Sequence, residues 1–142
     1  MTTNRYILDE STWLAAPKIE TVKIKPAQAT HIFNHSDYKD FISVEYIVER
    51  LKKDISAGIC INGKLVAWGF THDDGALGFL HVIHSARMAG YGTEILKGLI
   101  QSRRYENKPV FGNIIPGNTA SISLLSKLGF RFDRKTNWVK MK

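Results

Sequence analysis

Leu80-His81-Val82-Ile83-His84-Ser85-Ala86-Arg87-Met88-Ala89-Gly90-Tyr91-Gly92-Thr93 passes from a hydrophobic strand into an amphipathic helix through a glycine-bearing turn. The strand pattern starts at Gly78 and ends at Ile83. Beyond Thr93, Ile95, Leu96, Leu99 and Ile100 recur at helical spacing. Glycines at such a turn let the backbone come close to a ligand. The first N–H groups of the following helix point outward with no intrahelical partner. Together they make an anion site suited to phosphate or pyrophosphate, and Arg87 adds a guanidinium fork at its entrance. Two common phosphate motifs do not fit. A dinucleotide fingerprint needs a third glycine where this chain has Ile95, and a Walker loop needs Gly-Lys-Ser/Thr where Gly92 is followed by Thr93-Glu94.

Outward from this turn the chain alternates strands and helices. Ile19 to Lys25 alternates as a strand, and Pro26 sits at the first position of a helix reaching about Asn34. Ser43 is placed to cap a helix whose apolar face is Val44, Ile47, Val48, Leu51 and Ile55, with Gly58 ending it. Asn62-Gly63, between Ile59-Cys60-Ile61 and Lys64 to Thr71, signals a hairpin. Asp73-Asp74-Gly75 is a second turn, leading into the strand that ends at Ile83. Pro109 to Ile115 reads as a strand stopped by Pro116-Gly117. Asn118 caps a last helix with Ile122, Leu125 and Leu128 inward, and Gly129 ends it. Phe130-Arg131-Phe132 and Trp138-Val139 read as a final hairpin. Tyr6-Ile7-Leu8 and Trp13-Leu14 suggest a small strand and turn. The expected organisation is an N-terminal extension, residues 1–18, packed on a single domain of residues 19–142. Such a mixture needs a sheet with both faces covered.

Composition bounds the function. The chain has 142 residues, 44% of them hydrophobic, so it can bury about 68–70% of its unfolded surface in a real core. No apolar run approaches the ~20 residues of a membrane span, and Met1 to Arg5 lacks a signal-peptide pattern. The one cysteine, Cys60, excludes an intrachain disulfide. A cytoplasmic protein that engages no membrane is expected. Cys60 lies in a hydrophobic strand and reads as buried and inert. The net charge of +7 is open to three readings: nucleic-acid binding, attraction of a polyanionic cofactor, or solubility. The basic residues are dispersed and no recognition-helix or ribonucleoprotein motif is present, so nucleic acid is not the expected partner. His31 and His35 stand four apart, a spacing open to a metal, but no matching cysteine or carboxylate set accompanies them and no metal is expected. Trp13, Trp68 and Trp138 read as packing residues.

Two stretches carry a family resemblance. Leu80 to Gly92, with Arg87-x-x-Gly90-x-Gly92, is similar to the strand, splayed turn and pyrophosphate loop of the GNAT N-acyltransferase superfamily. Asn118-Thr119-Ala120-Ser121-Ile122-Ser123-Leu124-Leu125-Ser126-Lys127-Leu128-Gly129-Phe130 is similar to that family's later helix and its Leu-Gly-Phe ending. The resemblance covers about residues 19–142. It implies an α/β (α+β) fold with a central mixed, mostly antiparallel sheet and about four flanking helices. A narrower likeness, Gly63 to Gly75, resembles a hairpin of the glycine N-acyltransferase-like branch, which typically carries an additional N-terminal half.

The resemblance implies that an acyl group, most simply acetyl, moves from acetyl-CoA to an amine by direct attack in a ternary complex. The acceptor would be a small-molecule amine or amino acid, and the protein a monomer or homodimer. It implies backbone N–H donors at Val82 and Ile83, with Val82 facing the oxyanion. It implies cofactor contacts from Arg87, Met88, Ala89, Gly90, Tyr91, Gly92 and Thr93, and further contacts from Asn118 and Ser121. Asn118 is equally readable as a plain helix cap. Two features depart from the family pattern. The usual acidic tyrosine position holds Leu125, and the usual glutamate region, Ala76 to Phe79, holds nothing ionisable. His81 on the central strand is the first candidate base. The other reading of His81 is a half-buried ring held by a backbone group. His72 and His84 come next, and Tyr91 and Tyr105 are possible acids. A non-catalytic acyl-CoA-binding or regulatory module is the alternative function.

Overall fold

The computed structural model describes residues 2–37 and 39–137. It begins with β1 (Thr2–Leu8). A 3-10 turn (Pro26–Gln28) then runs into α1 (Ala29–Asn34), followed by α2 (Val44–Lys53). Next come β2 (Ala57–Ile61), β3 (Lys64–Thr71), β4 (Leu77–Val82), α3 (Tyr91–Tyr105), β5 (Val110–Ile114), α4 (Thr119–Lys127) and β6 (Arg131–Asn137). The strands form one mixed sheet in the order β2-β3-β4-β5-β1-β6. Only β4 and β5 run parallel; the other neighbours are antiparallel.

Local chemistry explains most boundaries. Ser43 Oγ accepts the Tyr46 N–H at the start of α2, and Arg50, Lys52 and Lys53 in its last turn oppose the helix dipole. Asn62 and Gly63 both take positive φ, 52° and 79°, as a two-residue hairpin turn requires. Asp74 Oδ1 accepts the Ala76 N–H and closes the second turn. Asn118 Oδ1 accepts the Ser121 N–H and caps α4. Gly129 ends that helix region at φ 100°.

Several expectations are corrected. Residues 19–25 form no regular strand. Only Val22 pairs, with Gly58, and the Ile24 N–H goes to Ser56 Oγ instead of a ladder partner. Helix α2 stops at Lys53, and Gly58 lies inside β2. Cys60 is exposed: burial along β2 stops after Ile59, where the register with β3 shifts and the strand runs out to its hairpin turn. Trp68 is buried, whereas Trp13 is 82% exposed. Residues 131–137 make one strand; Trp138-Val139, expected in a hairpin with it, lies outside the described residues. β1, read as part of an extension, is threaded between β5 and β6. The chain from Asp9 to Ile24 crosses the molecule without regular structure. Glu94 Oε1 accepts the Lys18 N–H, and Arg104 donates to the carbonyls of Asp9 and Thr12.

Helices α1 and α2 cover one face of the sheet. His31 Nε2 meets the Leu65 carbonyl at 2.9 Å, and Arg50 reaches Thr71. Helix α3 covers the other face. It sits so close that a Cβ on Gly69 would fall 2.8 Å from Ile95 Cγ2 and 3.0 Å from Leu99 Cδ1. Ile47, Phe70, Ile95 and Leu99 are fully enclosed in the resulting core. At one end of the sheet Asp54 gathers a buried ionic cluster. Its carboxylate accepts from Arg103, Arg50 and Thr71, and Arg103 also donates to the Gly75 carbonyl and to Glu106. The cluster clamps both ends of the turn between β3 and β4.

Candidate functional site

β4 and β5 pair only at Leu77–Gly112 and diverge beyond it. The opening comes from β4. Phe79 takes a φ of 51° and the β3–β4 register shifts between Trp68 and Phe70, a bulge that bends the strand. Past the bulge, His81 pairs with Trp68 and Val82 with Ala67, and the Ile83 N–H donates to the Val66 carbonyl at 2.9 Å. In an antiparallel ladder such bonded positions alternate with positions whose N–H faces the other edge. Val82, between the paired His81 and Ile83, therefore directs its amide into the slot toward β5, and Leu80 lines the slot two residues back, next to the bulge. Ile83, expected as a second donor, is corrected: its N–H is used by the sheet, its carbonyl accepts from Ala86, and its side chain is buried. No sequence signal marks Leu80. Counting back two residues from Val82 along the strand identifies it.

The slot opens into a cleft of about 660 Å³. At its wide end a 3-10 turn (His84–Ala86) leads to Arg87, whose Nε donates to the Val82 carbonyl at 2.9 Å. That bond lays the guanidinium along the slot mouth. Met88 (φ 71°) and Gly90 (φ 78°) both take left-handed backbone. Gly90 is the N-cap of α3 and supplies no side-chain cap. The first intrahelical bond is Glu94 N–H to the Gly90 carbonyl. The N–H groups of Tyr91, Gly92 and Thr93 are thus left for a ligand, and nothing lies within 4 Å of where a Gly90 Cβ would be. Arg87, Met88, Gly90, Tyr91, Gly92, Thr93, Val82, Asn118 and Ser121 all line this cleft; Ala89 points to solvent outside it. Outward amides beside a guanidinium suit an anion.

A second, mostly apolar pocket of about 200 Å³ occupies the closed end of the slot. Leu77, Leu80, Leu96, Ile114 and Leu125 line it, with His72, Asp74 and Asn113 among its polar residues. Ile42, Phe79, Leu80, Asn118, Ser121 and Leu124 border both spaces, so the two adjoin. His81 stacks on Trp68, ring centroids 5.0 Å apart, and lines the wide cleft with Arg87. Burial pushes its pKa down, Asp37 opposes this, and Arg87 and His35 add to it. His72 lies against Phe79 at 4.2 Å in the apolar pocket, its pKa lowered by burial against the pull of Asp74 and Asp73. His84 and Tyr105 are exposed, Tyr91 is half-buried against the core, and Leu125 is core. His31 and His35 bond to the carbonyls of Leu65 and His31. Among the described residues, no group of three or more His, Cys, Asp or Glu could hold a metal ion.

Solved structures share this architecture. A Drosophila protein of known crystal structure superposes on 95% of this chain and 48% of its own, with a TM-score of 0.87 and 22% identity. A putative acetyltransferase of the GNAT family from Novosphingobium aromaticivorans matches over 94% of this chain and 60% of its own (TM-score 0.77, 15% identity). AAC(6')-Iy, solved in complex with the bisubstrate analog CoA-S-monomethyl-acetylneamine, matches over 87% and 97% (TM-score 0.62, 15% identity). The chain spans 48% and 60% of the first two. At these identities the likeness is one of fold: the open six-stranded sheet with four helices is the GNAT acetyltransferase fold. No curated protein matches the chain. A family model described as FR47-like protein matches residues 56–139, which takes in the slot, the phosphate turn and the helix after it. The chain belongs to the FR47-like protein family.

Proposed function

We propose that this chain binds an acyl-CoA, acetyl-CoA in the first instance, and passes the acyl group to a primary amine of a small molecule or amino acid by direct attack in a ternary complex. One observation carries the reading. A β4–β5 slot with the inward Val82 amide adjoins a cleft that runs to a helix N-terminus guarded by Arg87. The α3 amides and Arg87 would hold the pyrophosphate, and Val82 would pair with the pantetheine arm. Leu80, two residues nearer the closed end, would donate to the thioester oxygen as negative charge develops there. Asn118 and Ser121 would flank the arm from α4. A neighbour of this fold solved with a CoA-linked amine analogue supports the pairing of CoA with a small amine. The hairpin Gly63–Gly75 supports affinity with the glycine N-acyltransferase-like branch. No helix of the described residues is long and apolar enough to cross a membrane, which agrees with a cytoplasmic role.

A second reading, a non-catalytic acyl-CoA-binding module, is favoured by Leu125, a buried apolar side chain where an acid would serve the leaving thiolate. Thermal stability measured with acetyl-CoA, CoA and NAD tests both readings. A ligand at ~100 times its dissociation constant adds about 2.7 kcal/mol, so CoA species alone should raise the Tm. Gly90→Glu should abolish that rise by placing a carboxylate in the open cradle. Turnover of amines then separates enzyme from module. No CoA-dependent rise in the folded wild type would refute both.

A further inference from the structure

The slot's closed end, where the acyl carbon would lie under the proposed function, is flanked by an imidazole that the phosphate turn does not use. His72 sits at the end of β3, with its N–H bonded to the Ala76 carbonyl across the turn. Its ring is pressed over Gly78, the second residue of β4. A Cβ there would fall 2.5 Å from Nε2 and 2.7 Å from Cδ2, so glycine at this position is what admits the ring. Phe79 packs against it, ring centroids 4.2 Å apart. Among the residues lining the pocket at the closed end, His72 is the one imidazole; His81 lines the wide cleft with Arg87 instead.

We propose that His72 is the general base that deprotonates the attacking amine, a role that rests on the acyltransfer reading above. The acceptor would enter past Asp74 and Asn113, whose side chains bond to each other at the pocket's polar side. There the imidazole takes a proton from R–NH3+ to give R–NH2. The nitrogen lone pair attacks the thioester carbonyl carbon, and the C–N bond forms as negative charge moves to oxygen beside the Leu80 N–H. Collapse breaks the C–S bond, the thiolate takes the second amine proton, and amide and CoA-SH leave. The imidazolium returns its proton to water. The charged and titratable groups around the ring are Asp73 and Asp74 on the turn, and Arg50 and Tyr46 on α2. Burial lowers the pKa of His72, Asp74 and Asp73 raise it and Arg50 lowers it, the net shift being downward from 6.5. The ring is therefore neutral at pH 7, and the imidazolium it forms on taking a proton is disfavoured by burial and favoured by Asp74 and Asp73.

The experiment measures acetyl-CoA turnover with glycine, spermidine and phenethylamine, the pH profile of kcat/KM, and the acetyl-CoA Kd. His72→Gln should lower kcat by roughly 10²–10⁴-fold, remove the acidic limb of the profile and leave the Kd unchanged. Gly78→Ala, which keeps both imidazoles but displaces the ring, should also lower kcat at unchanged Kd. In His81→Gln the acidic limb should persist. Wild-type kcat and an intact acidic limb in His72→Gln would overturn the base assignment alone. Loss of that limb in His81→Gln would also overturn it. No turnover of the three amines by CoA-binding wild-type protein would overturn the acyltransfer reading and the base with it.

Discussion

Asp54→Asn removes the charge at the centre of the buried cluster while keeping its shape. In the folded protein Asp54 receives Arg103 at 2.7 and 2.6 Å, Thr71 at 2.7 Å, Arg50 at 3.1 Å and the Ile55 N–H at 2.8 Å. Burial by itself would raise its pKa. The bonds from Arg103, Thr71 and Ile55 outweigh that and hold it at about 2, against an ordinary 3.8. At full coupling that difference is worth about 2 kcal/mol, and partial solvent access reduces it to about 1–2 kcal/mol. Neutralising Asp54 also strands Arg103, whose side chain is only 2% exposed and keeps just Glu106 and the Gly75 carbonyl. Breaking a buried pair from one side costs about 3–5 kcal/mol. The shape-preserving amide and the Glu106 contact place Asp54→Asn near the lower end, about 3 kcal/mol. For a domain of this size that is roughly 6–12 °C in Tm. The sign with pH follows from the depressed pKa. The ionised-state contribution is present above about pH 4 and is lost as pH falls through about 2. Urea titration of wild type and variant at pH 7 and at steps down to pH 2 measures both effects. A variant within about 0.5 kcal/mol of wild type at pH 7 would refute the reasoning, as would equal acid sensitivity of the two proteins. The same cluster holds Thr71 and Gly75 on either side of His72, so Asp54→Asn should also depress turnover at temperatures where it is still folded.

Gly69→Ala should cost about 1–3 kcal/mol by overpacking, since its Cβ would meet Ile95 and Leu99 on α3 at 2.8 and 3.0 Å; urea denaturation measures this. Cys60 should react with a thiol reagent in the native state as fast as in urea, because it is exposed on an edge strand; protection in the native state would contradict the β2 register. Arg87→Ala should weaken CoA binding with little change in Tm, because the side chain is exposed and, among the described residues, bonds to the Val82 carbonyl alone. Isothermal titration with CoA at low and high salt would show the loss shrinking as salt rises.

The sequence by itself determined the features that depend on near neighbours. Ser43 and Asn118 cap their helices through bonds to residues three positions on. Asn62-Gly63 turns a hairpin by intrinsic backbone preference. The spacing of Ile95, Leu96, Leu99 and Ile100 marked the buried face of α3, and Gly90 to Thr93 marked the turn into that helix. What remained hidden depends on partners far along the chain. β1 closes the sheet through pairs such as Thr3–Thr136, 133 residues apart, which no local pattern encodes. Whether a strand amide is free for a ligand is decided by which edge its neighbour occupies. Ile83 was therefore drawn into the sheet by Val66, while Val82 was left facing the slot. Cys60 is exposed because it lies at the hairpin end of β2, where burial stops after Ile59. His72 and His81 look alike on paper, as imidazoles near one strand. Only the bulge at Phe79 and the bare Cα of Gly78 place one in the closed end of the slot and leave the other stacked on Trp68. Helix and turn signals survive in sequence because their hydrogen bonds are local. Strand order and slot geometry do not, because their bonds join segments that meet only when the chain is folded.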